Sequence, residues 1–68
     1  MDIIKKLRAN IKSYNRHMTD EYLDSLTYVE QLRLTHPFDR VDLARELKNE
    51  GIITDNEFRE IDYLQKAK

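Results

Sequence analysis

The sequence predicts an all-α protein, a small bundle of three to four short helices whose last two form a hairpin around Gly51. Apolar residues recur three and four positions apart along most of the chain, as they do on one face of an amphipathic helix. Gly51 and Pro37 are the only glycine and the only proline among 68 residues. Sheets with several tight turns need more residues of these types, so the scarcity argues against them.

The first half predicts two helices. Helix one covers residues 2–18, and its apolar side chains share one face: Ile4, Leu7, Ile11, Tyr14 and Met18. Thr19 is a good N-cap for helix two, because Asp20 and Glu21 follow it where the helix dipole favours negative charge. Helix two runs to about residue 34, with Tyr22, Leu26 and Val29 facing inward and Leu23 and Leu32 beside them. One continuous longer helix in place of the two remains an open alternative.

The second half predicts a helical hairpin after a break at residues 35–39. Pro37 disfavours helix for the residue before it and suits the first turn of the next helix. Helix three extends to about residue 50, with Gly51 at its C-terminal cap. Its inward side chains are Val41, Leu43, Ala44 and Leu47. Helix four starts at a capping box formed by Thr54 and Glu57, and Phe58, Ile61 and Leu64 face inward from it.

Length and composition limit the classes of function. The chain is short enough for one domain only, residues 1–68, with the two helices of residues 1–36 preceding the hairpin of residues 37–68. Cysteine is absent, which excludes disulfides and thiolate sites and favours a reducing compartment. No apolar run approaches the roughly 18 residues that span a bilayer. We therefore expect a cytoplasmic protein without a membrane partner.

Charge is distributed unevenly along the chain. Residues 1–18 hold five basic side chains against one acidic one, and residues 19–34 hold four acidic against one basic. Four of the basic residues fall in a narrow stripe beside the apolar face of helix one: Lys5, Arg8, Lys12 and Arg16. This basic stripe can be a solvated face, with Lys12 and Arg16 opposite Asp20 and Asp24. That interpretation is favoured; the alternatives, in falling order, are that the stripe meets a protein partner, nucleic-acid phosphates or an anionic membrane.

Catalytic, metal and DNA-reading sites find little support in the sequence. His17 and His36 lack a third histidine or a cysteine to complete a metal set, so we expect no metal and no cofactor. The chain has little material for a pocket around a general acid and base, which argues against an enzyme with a small-molecule substrate. A helix-turn-helix reading of residues 43–58 fails, because the would-be recognition helix is acidic.

The tyrosines are candidates for contact residues. Tyr14 and Tyr22 are expected at the edge of the core. Tyr28 and Tyr63 lie off the inner faces of their helices, which makes them the better candidates for exposed aromatic anchors in an interface.

The second half resembles the bacterial short C-terminal domain called SHOCT over residues 41–66. Residues 43–58 read LARELKNEGIITDNEF, which has that family's spaced leucines, turn glycine, apolar pair, threonine cap and Glu-Phe pair. The sequence departs from the family at Ile61-Asp62 and Leu64-Gln65, where paired lysines and a terminal Leu-Leu are usual. The resemblance implies a bacterial or phage origin and a role in assembly or partner contacts.

Together these observations predict a non-enzymatic protein that acts by protein–protein interaction, as an adaptor, inhibitor or regulatory subunit, with self-association possible. The predicted contact residues are the basic stripe together with Tyr28 and Tyr63. The alternative is a nucleic-acid accessory protein that places the basic stripe on phosphates.

Overall fold

A computed structural model describes the backbone of residues 2–66 and the side chains of residues 2–62. All regular structure in this range is helical, which confirms the all-α prediction. The helices are α1 (Ile3–Tyr14), α2 (Asp20–Asp24), α3 (Tyr28–Leu32), α4 (Pro37–Asn49) and α5 (Asp55–Lys66). They number five instead of the three or four expected. None of them is long and apolar enough to cross a membrane.

The extra helix arises because the predicted helix two is divided into α2 and α3. The hydroxyl of Ser25 donates to the carbonyl of Tyr22 at 2.6 Å, in the last turn of α2. Thr27 then begins α3 with a capping box, in which Glu30 accepts from the Thr27 amide at 2.9 Å and the Thr27 hydroxyl accepts from the Glu30 amide at 3.2 Å. These side chains make hydrogen bonds with backbone groups that a continuous helix would pair internally. Helix α2 therefore ends, and α3 begins as a separate helix.

The division also changes which residues face the core, and the predicted inner face of helix two was wrong. Leu23 and Leu32, expected at its flanks, are completely buried. Tyr22 is 52% exposed, and Leu26 and Val29 are only partly buried. The turn between α2 and α3 interrupts the 3.6-residue periodicity, so a face drawn through both helices has no counterpart in the structure.

Helix α1 ends four residues earlier than predicted, and α1 and α2 are separate helices. Asn15 has an extended backbone, and its side-chain amide donates to the carbonyl of Leu34 at 2.7 Å. Thr19 is the N-cap of α2, as predicted, and its hydroxyl accepts from the amide of Tyr22 at 3.2 Å.

The hairpin of α4 and α5 is confirmed, and Gly51 makes the turn possible. Its φ of 76° lies in the left-handed region that glycine adopts without strain. The amide of Gly51 donates to the carbonyl of Lys48, and the amide of Ile52 donates to that of Leu47, each at 2.9 Å. This pair of bonds is the Schellman motif, which satisfies carbonyls at the end of α4.

The start of α5 also follows the prediction. Glu57 accepts from the Thr54 amide at 2.9 Å, and the Thr54 hydroxyl accepts from the Glu57 amide at 3.1 Å, which completes the capping box. Ile61 is buried and Phe58 packs against the core. The side chain of Leu64 lies outside the described residues.

The core lies where α1, α3, α4 and α5 meet. Helix α1 packs against α3 and α4, and α4 packs along α5. Val41, expected inside, is only partly buried. The buried apolar side chains are Ile3, Leu7, Ile11, Leu23, Leu32, Leu43, Ala44, Leu47, Ile53 and Ile61.

Candidate interaction surface

Three aromatic rings form a cluster at the junction of α1 and α4. The rings of Tyr14 and His36 meet edge to face with their centroids 5.0 Å apart, and the rings of His36 and Phe38 stack at 5.4 Å with 24° between their planes. Phe38 is 88% exposed and Tyr14 is 52% exposed. We refer to Tyr14, His36 and Phe38 as the aromatic cluster. A phenylalanine this exposed contributes little to the fold, which makes the cluster a candidate contact surface.

Local hydrogen bonds fix the position of the aromatic cluster. His36 is the N-cap of α4, and its Nδ1 accepts from the amide of Phe38 at 3.4 Å. The amide of His36 donates to Oδ1 of Asn10 at 2.9 Å, which ties the start of α4 to α1. Pro37 occupies the first position of α4, where its fixed φ suits the helix. The cluster is therefore presented from an ordered helix start.

Arg40 holds the segment between α3 and α4 that precedes the cluster. Its guanidinium donates to the carbonyls of Leu32 at 2.8 Å, Arg33 at 2.9 Å and Thr35 at 2.9 Å. Thr35 is completely buried, and its hydroxyl donates to the same Leu32 carbonyl at 2.5 Å. These bonds satisfy carbonyls that the end of α3 leaves without helical partners.

A groove runs along the seam between α1 and α4, and Asp39, the residue after Phe38, lines one end of it. Its first part, of about 330 Å³, is lined by Lys6, Asn10, Asp39, Asp42, Leu43 and Glu46. Its second part, of about 470 Å³, shares Lys6 and Glu46 and adds Ile3, Asn49 and Glu50. Four carboxylates line this α1–α4 groove against one ammonium group. Lys6 bridges it by pairing with Glu46 at 3.0 Å.

A smaller groove lies between α2 and α3. It has a volume of about 250 Å³, and Tyr22, Leu26 and Leu34 form its apolar lining. Glu30 and Arg33 line its charged edge. It offers less surface than the α1–α4 groove.

The predicted basic stripe is divided in the structure. Arg8 contacts Asp24 at 2.5 Å and Asp20 at 3.4 Å, and Lys12 contacts Asp20 at 2.8 Å. The sequence suggested Lys12 and Arg16 as the partners of Asp20 and Asp24. In the structure the partners are Lys12 and Arg8. Arg16 lies beyond the end of α1, so the four residues do not form one helical stripe.

Two residues of the predicted stripe are left without an ion pair in the described part of the chain. Lys5 and Arg16 are exposed, and no described carboxylate lies within bonding distance of either. Phosphate contact by all four residues would therefore require Arg8 and Lys12 to leave Asp20 and Asp24.

The ion pairs between α1 and α2 shift two ionisation equilibria. The pKa of Asp20 is lowered, chiefly by the hydrogen bond from Lys12, with Arg8 adding to the effect. The pKa of Arg8 is raised, chiefly by its hydrogen bond to Asp24. Both shifts favour the charged forms, so α2 is held against α1 as an ion-paired segment.

The three tyrosines with described side chains differ in exposure from what the sequence suggested. Tyr14 and Tyr22, expected at the core edge, are each 52% exposed. Tyr28, proposed as an exposed anchor, is partly buried against the core. Tyr63 belongs to α5, but its side chain lies outside the described residues.

Phe38 is a candidate contact residue that the sequence reasoning missed, although the helical period contained a signal for its exposure. Leu47 is buried in α4, and Phe38 precedes it by nine residues. At about 100° per residue, nine residues place the two side chains about 180° apart around the helix. Projection from Leu47 would have placed Phe38 on the solvent side.

The described side chains bring together no set of metal ligands. No group of three His, Cys, Asp or Glu residues within this range could hold an ion. His17 is exposed in the turn after α1, and His36 caps α4. The candidate surface therefore consists of the aromatic cluster and the carboxylate-lined α1–α4 groove.

Comparison with known proteins gives no family to which the chain can be assigned. No protein-family model, curated protein or solved structure matches it. The SHOCT resemblance of residues 41–66 stays a prediction.

Proposed function

We propose that this chain is a small, non-enzymatic protein that binds a protein partner through the aromatic cluster, as an adaptor, inhibitor or regulatory subunit of the cytoplasm. The exposure of Phe38 carries the proposal, because 88% of this apolar residue faces solvent while hydrogen bonds hold its helix start in place. Aromatic side chains on a preorganised backbone lose little entropy on binding and are enriched among energetically dominant contacts.

The few buried polar side chains favour a binding role over catalysis. Among the described residues, only Gln31 and Thr35 are buried polar side chains. Both are engaged with the backbone, since the Gln31 amide donates to the carbonyls of Leu23 and Leu26 and Thr35 donates to that of Leu32. A general acid or base needs a titratable group in a partly desolvated pocket. No described carboxylate or histidine is fully buried, and of those that are partly buried, His36 and Glu57 are engaged in capping their helices.

The predicted contact residues take secondary places in this proposal. Lys5 and Arg16 are free to steer a partner electrostatically, which changes association rates more than affinity. Arg8 and Lys12 are engaged with α2. Tyr28 contributes only the part of its ring that the core leaves open. The bacterial or phage origin that the SHOCT resemblance implies stays part of the proposal.

The test compares capture from a lysate by matched variants, each with and without nuclease. Tyr14→Ala with Phe38→Ala removes the exposed rings of the cluster. Tyr22→Ala is the control, because Tyr22 is as exposed as Tyr14 but lies in α2. We expect the wild type and the control to recover the same protein in the presence of nuclease, and the double variant to lose it.

Two results would count against the proposal. If the double variant still recovers the partner protein, the aromatic cluster is not part of the interface. Recovery that nuclease abolishes would favour the nucleic-acid alternative, in which Lys5 and Arg16 contact phosphate.

A further inference from the structure

The open ring face of Phe38 sets the chemistry that a partner must bring. One face of the ring stacks on His36, and an exposure of 88% leaves the other face to solvent. The face of an aromatic ring carries partial negative charge and attracts guanidinium and ammonium groups. It also accepts apolar groups, so the surroundings of the ring must decide between the two.

Carboxylates dominate the surroundings of Phe38. Asp39 follows Phe38 directly, and Asp42, four residues after Phe38, lies on the same side of α4. The α1–α4 groove continues this charge with Glu46 and Glu50. Asp42 pairs with Arg45 at 3.3 Å, but their side chains are 76% and 56% exposed. A pair so exposed contributes little to stability, so a partner's cation can replace it.

The area of the cluster argues against a second copy of the chain as the occupant. Aromatic residues contribute about 150–250 Å² each, so Phe38 and Tyr14 at their exposures offer roughly 300 Å² per chain. Two copies joined through the rings alone would bury roughly 600 Å², well short of the ~1,200 Å² at which stable interfaces begin. A nucleic acid is disfavoured as well, because its phosphates would meet the carboxylates of α4.

We infer that the occupant is a cationic segment of a partner protein. An arginine or lysine of that segment lies on the open face of Phe38, and its basic neighbours reach Asp39, Asp42 and the α1–α4 groove. This inference rests on the proposed function and adds to it the charge of the partner. It predicts binding that weakens as salt rises, since the carboxylates are exposed.

Two synthetic peptides of nine residues serve as probes, one alternating arginine with serine and the other alternating glutamate with serine. Each is titrated into the ¹⁵N-labelled protein at low and at moderate salt. We expect the arginine peptide to shift amide resonances of residues 36–46, with a dissociation constant that rises with salt, and the glutamate peptide to shift none of them. Equal binding of both peptides, or shifts confined to other helices, would overturn the inference.

Substitutions at residue 38 separate attraction of a cation from apolar contact. Phe38→Leu keeps an apolar side chain but removes the ring, whereas Phe38→Tyr keeps the ring. If the ring face binds a cation, Phe38→Leu weakens the arginine peptide about fivefold or more, as Phe38→Ala does, and Phe38→Tyr restores it. Full affinity in Phe38→Leu would show an apolar contact and refute the cationic partner.

The carboxylates have a matched control in α2. Asp39→Asn with Asp42→Asn removes two charges beside Phe38, and the asparagine at 39 keeps an acceptor for the amide of Asn10. Glu21→Gln removes an exposed charge on α2, which lies on the other side of α1 from the groove. We expect the double variant to weaken binding about tenfold or more and the control to leave it unchanged. Similar losses in both would indicate unspecific attraction to an acidic protein and overturn the inference.

An unbiased peptide display distinguishes failure of this inference from failure of the proposed function. Selection of basic peptides whose binding requires Phe38 supports both. Selected binders that require Phe38 but carry no excess of arginine or lysine would refute the cationic partner and leave the protein-binding function standing. If no selected peptide and no captured protein depends on Phe38, both fail.

Discussion

The Nε atom of Arg40, in α4, lies 2.8 Å from the carbonyl oxygen of Leu32, the last residue of α3. Through this bond and those to Arg33 and Thr35, one side chain of α4 closes the end of α3. Two members of the aromatic cluster, His36 and Phe38, follow directly. The order of this candidate contact surface therefore depends on a residue that is not part of it.

Arg40→Lys is expected to destabilise the fold, because an ammonium group cannot reach three carbonyls in the planar arrangement of a guanidinium. Hydrogen bonds from charged donors contribute about 1.5–3 kcal/mol, so the free energy of unfolding should fall by about 1–3 kcal/mol in a urea titration. Arg45→Lys is the control, since the one ion pair of Arg45 among the described side chains is its exposed pair with Asp42. Equal stability of the two variants would contradict the role given to Arg40.

Gly51→Ala tests the turn of the hairpin. A Cβ at this position would meet nothing within 4 Å, so the cost comes from the backbone alone, at φ of 76°. Left-handed backbone costs a residue with a side chain about 1–2 kcal/mol, and asparagine tolerates it better. We expect the melting temperature to fall in the order Gly51, Gly51→Asn, Gly51→Ala. An alanine variant as stable as the wild type would mean that the turn readjusts.

The second half of the fold could be predicted from the sequence because its signals are local. Gly51 and the Thr54–Glu57 capping box act on backbone groups within a few residues, and each appears where the sequence placed it. The prediction of a continuous helix two was wrong for the opposite reason. Its division depends on Ser25 and Thr27 competing with a helix that propensity alone would continue, and the sequence holds no proline or glycine to mark the break.

The candidate site was less predictable than the fold. The cluster joins Tyr14 to His36, 22 residues later in the chain, and that pairing is set by how α1 packs against α4. An ion-paired face was one of the alternatives for the basic stripe, and Lys12 does pair with Asp20, but the choice of Arg8 over Arg16 depends on where α1 ends. Helix ends and crossings follow from tertiary packing, which one sequence does not specify.

Phe38→Ala is expected to leave stability nearly unchanged, which separates the contact surface from the core. The residue is 88% exposed, so the free energy of unfolding should change by no more than about 0.5 kcal/mol. Leu47→Ala, at a completely buried position of the same helix, should lower it by about 2–5 kcal/mol. Chemical denaturation followed by circular dichroism measures both. A large loss in Phe38→Ala would assign the ring a structural role and weaken the proposed function.

The ion pairs of α2 predict a loss of stability in acid. The folded state lowers the pKa of Asp20, chiefly through Lys12, and that of Glu30, chiefly through the amide of Thr27. A carboxyl group whose pKa is lowered by folding contributes stability above its unfolded value, near ~4, and this contribution is lost as the pH falls through the lower folded value. The free energy of unfolding should therefore decline on acidification below about pH 4.

Asp20→Asn isolates the contribution of the α1–α2 ion pairs to this loss of stability in acid. The variant should be less stable than the wild type at neutral pH and should approach it as the pH falls, since protonation removes the same charge in the wild type. Added salt should narrow the neutral-pH difference, because the pairs are exposed. Glu21 is a neighbouring carboxylate without a described ion pair. Glu21→Gln should therefore keep the wild-type decline of the free energy of unfolding with falling pH. If the curves for Asp20→Asn and the wild type run parallel from pH 7 to pH 2, the pairing of Asp20 with Lys12 and Arg8 does not hold α2 in place.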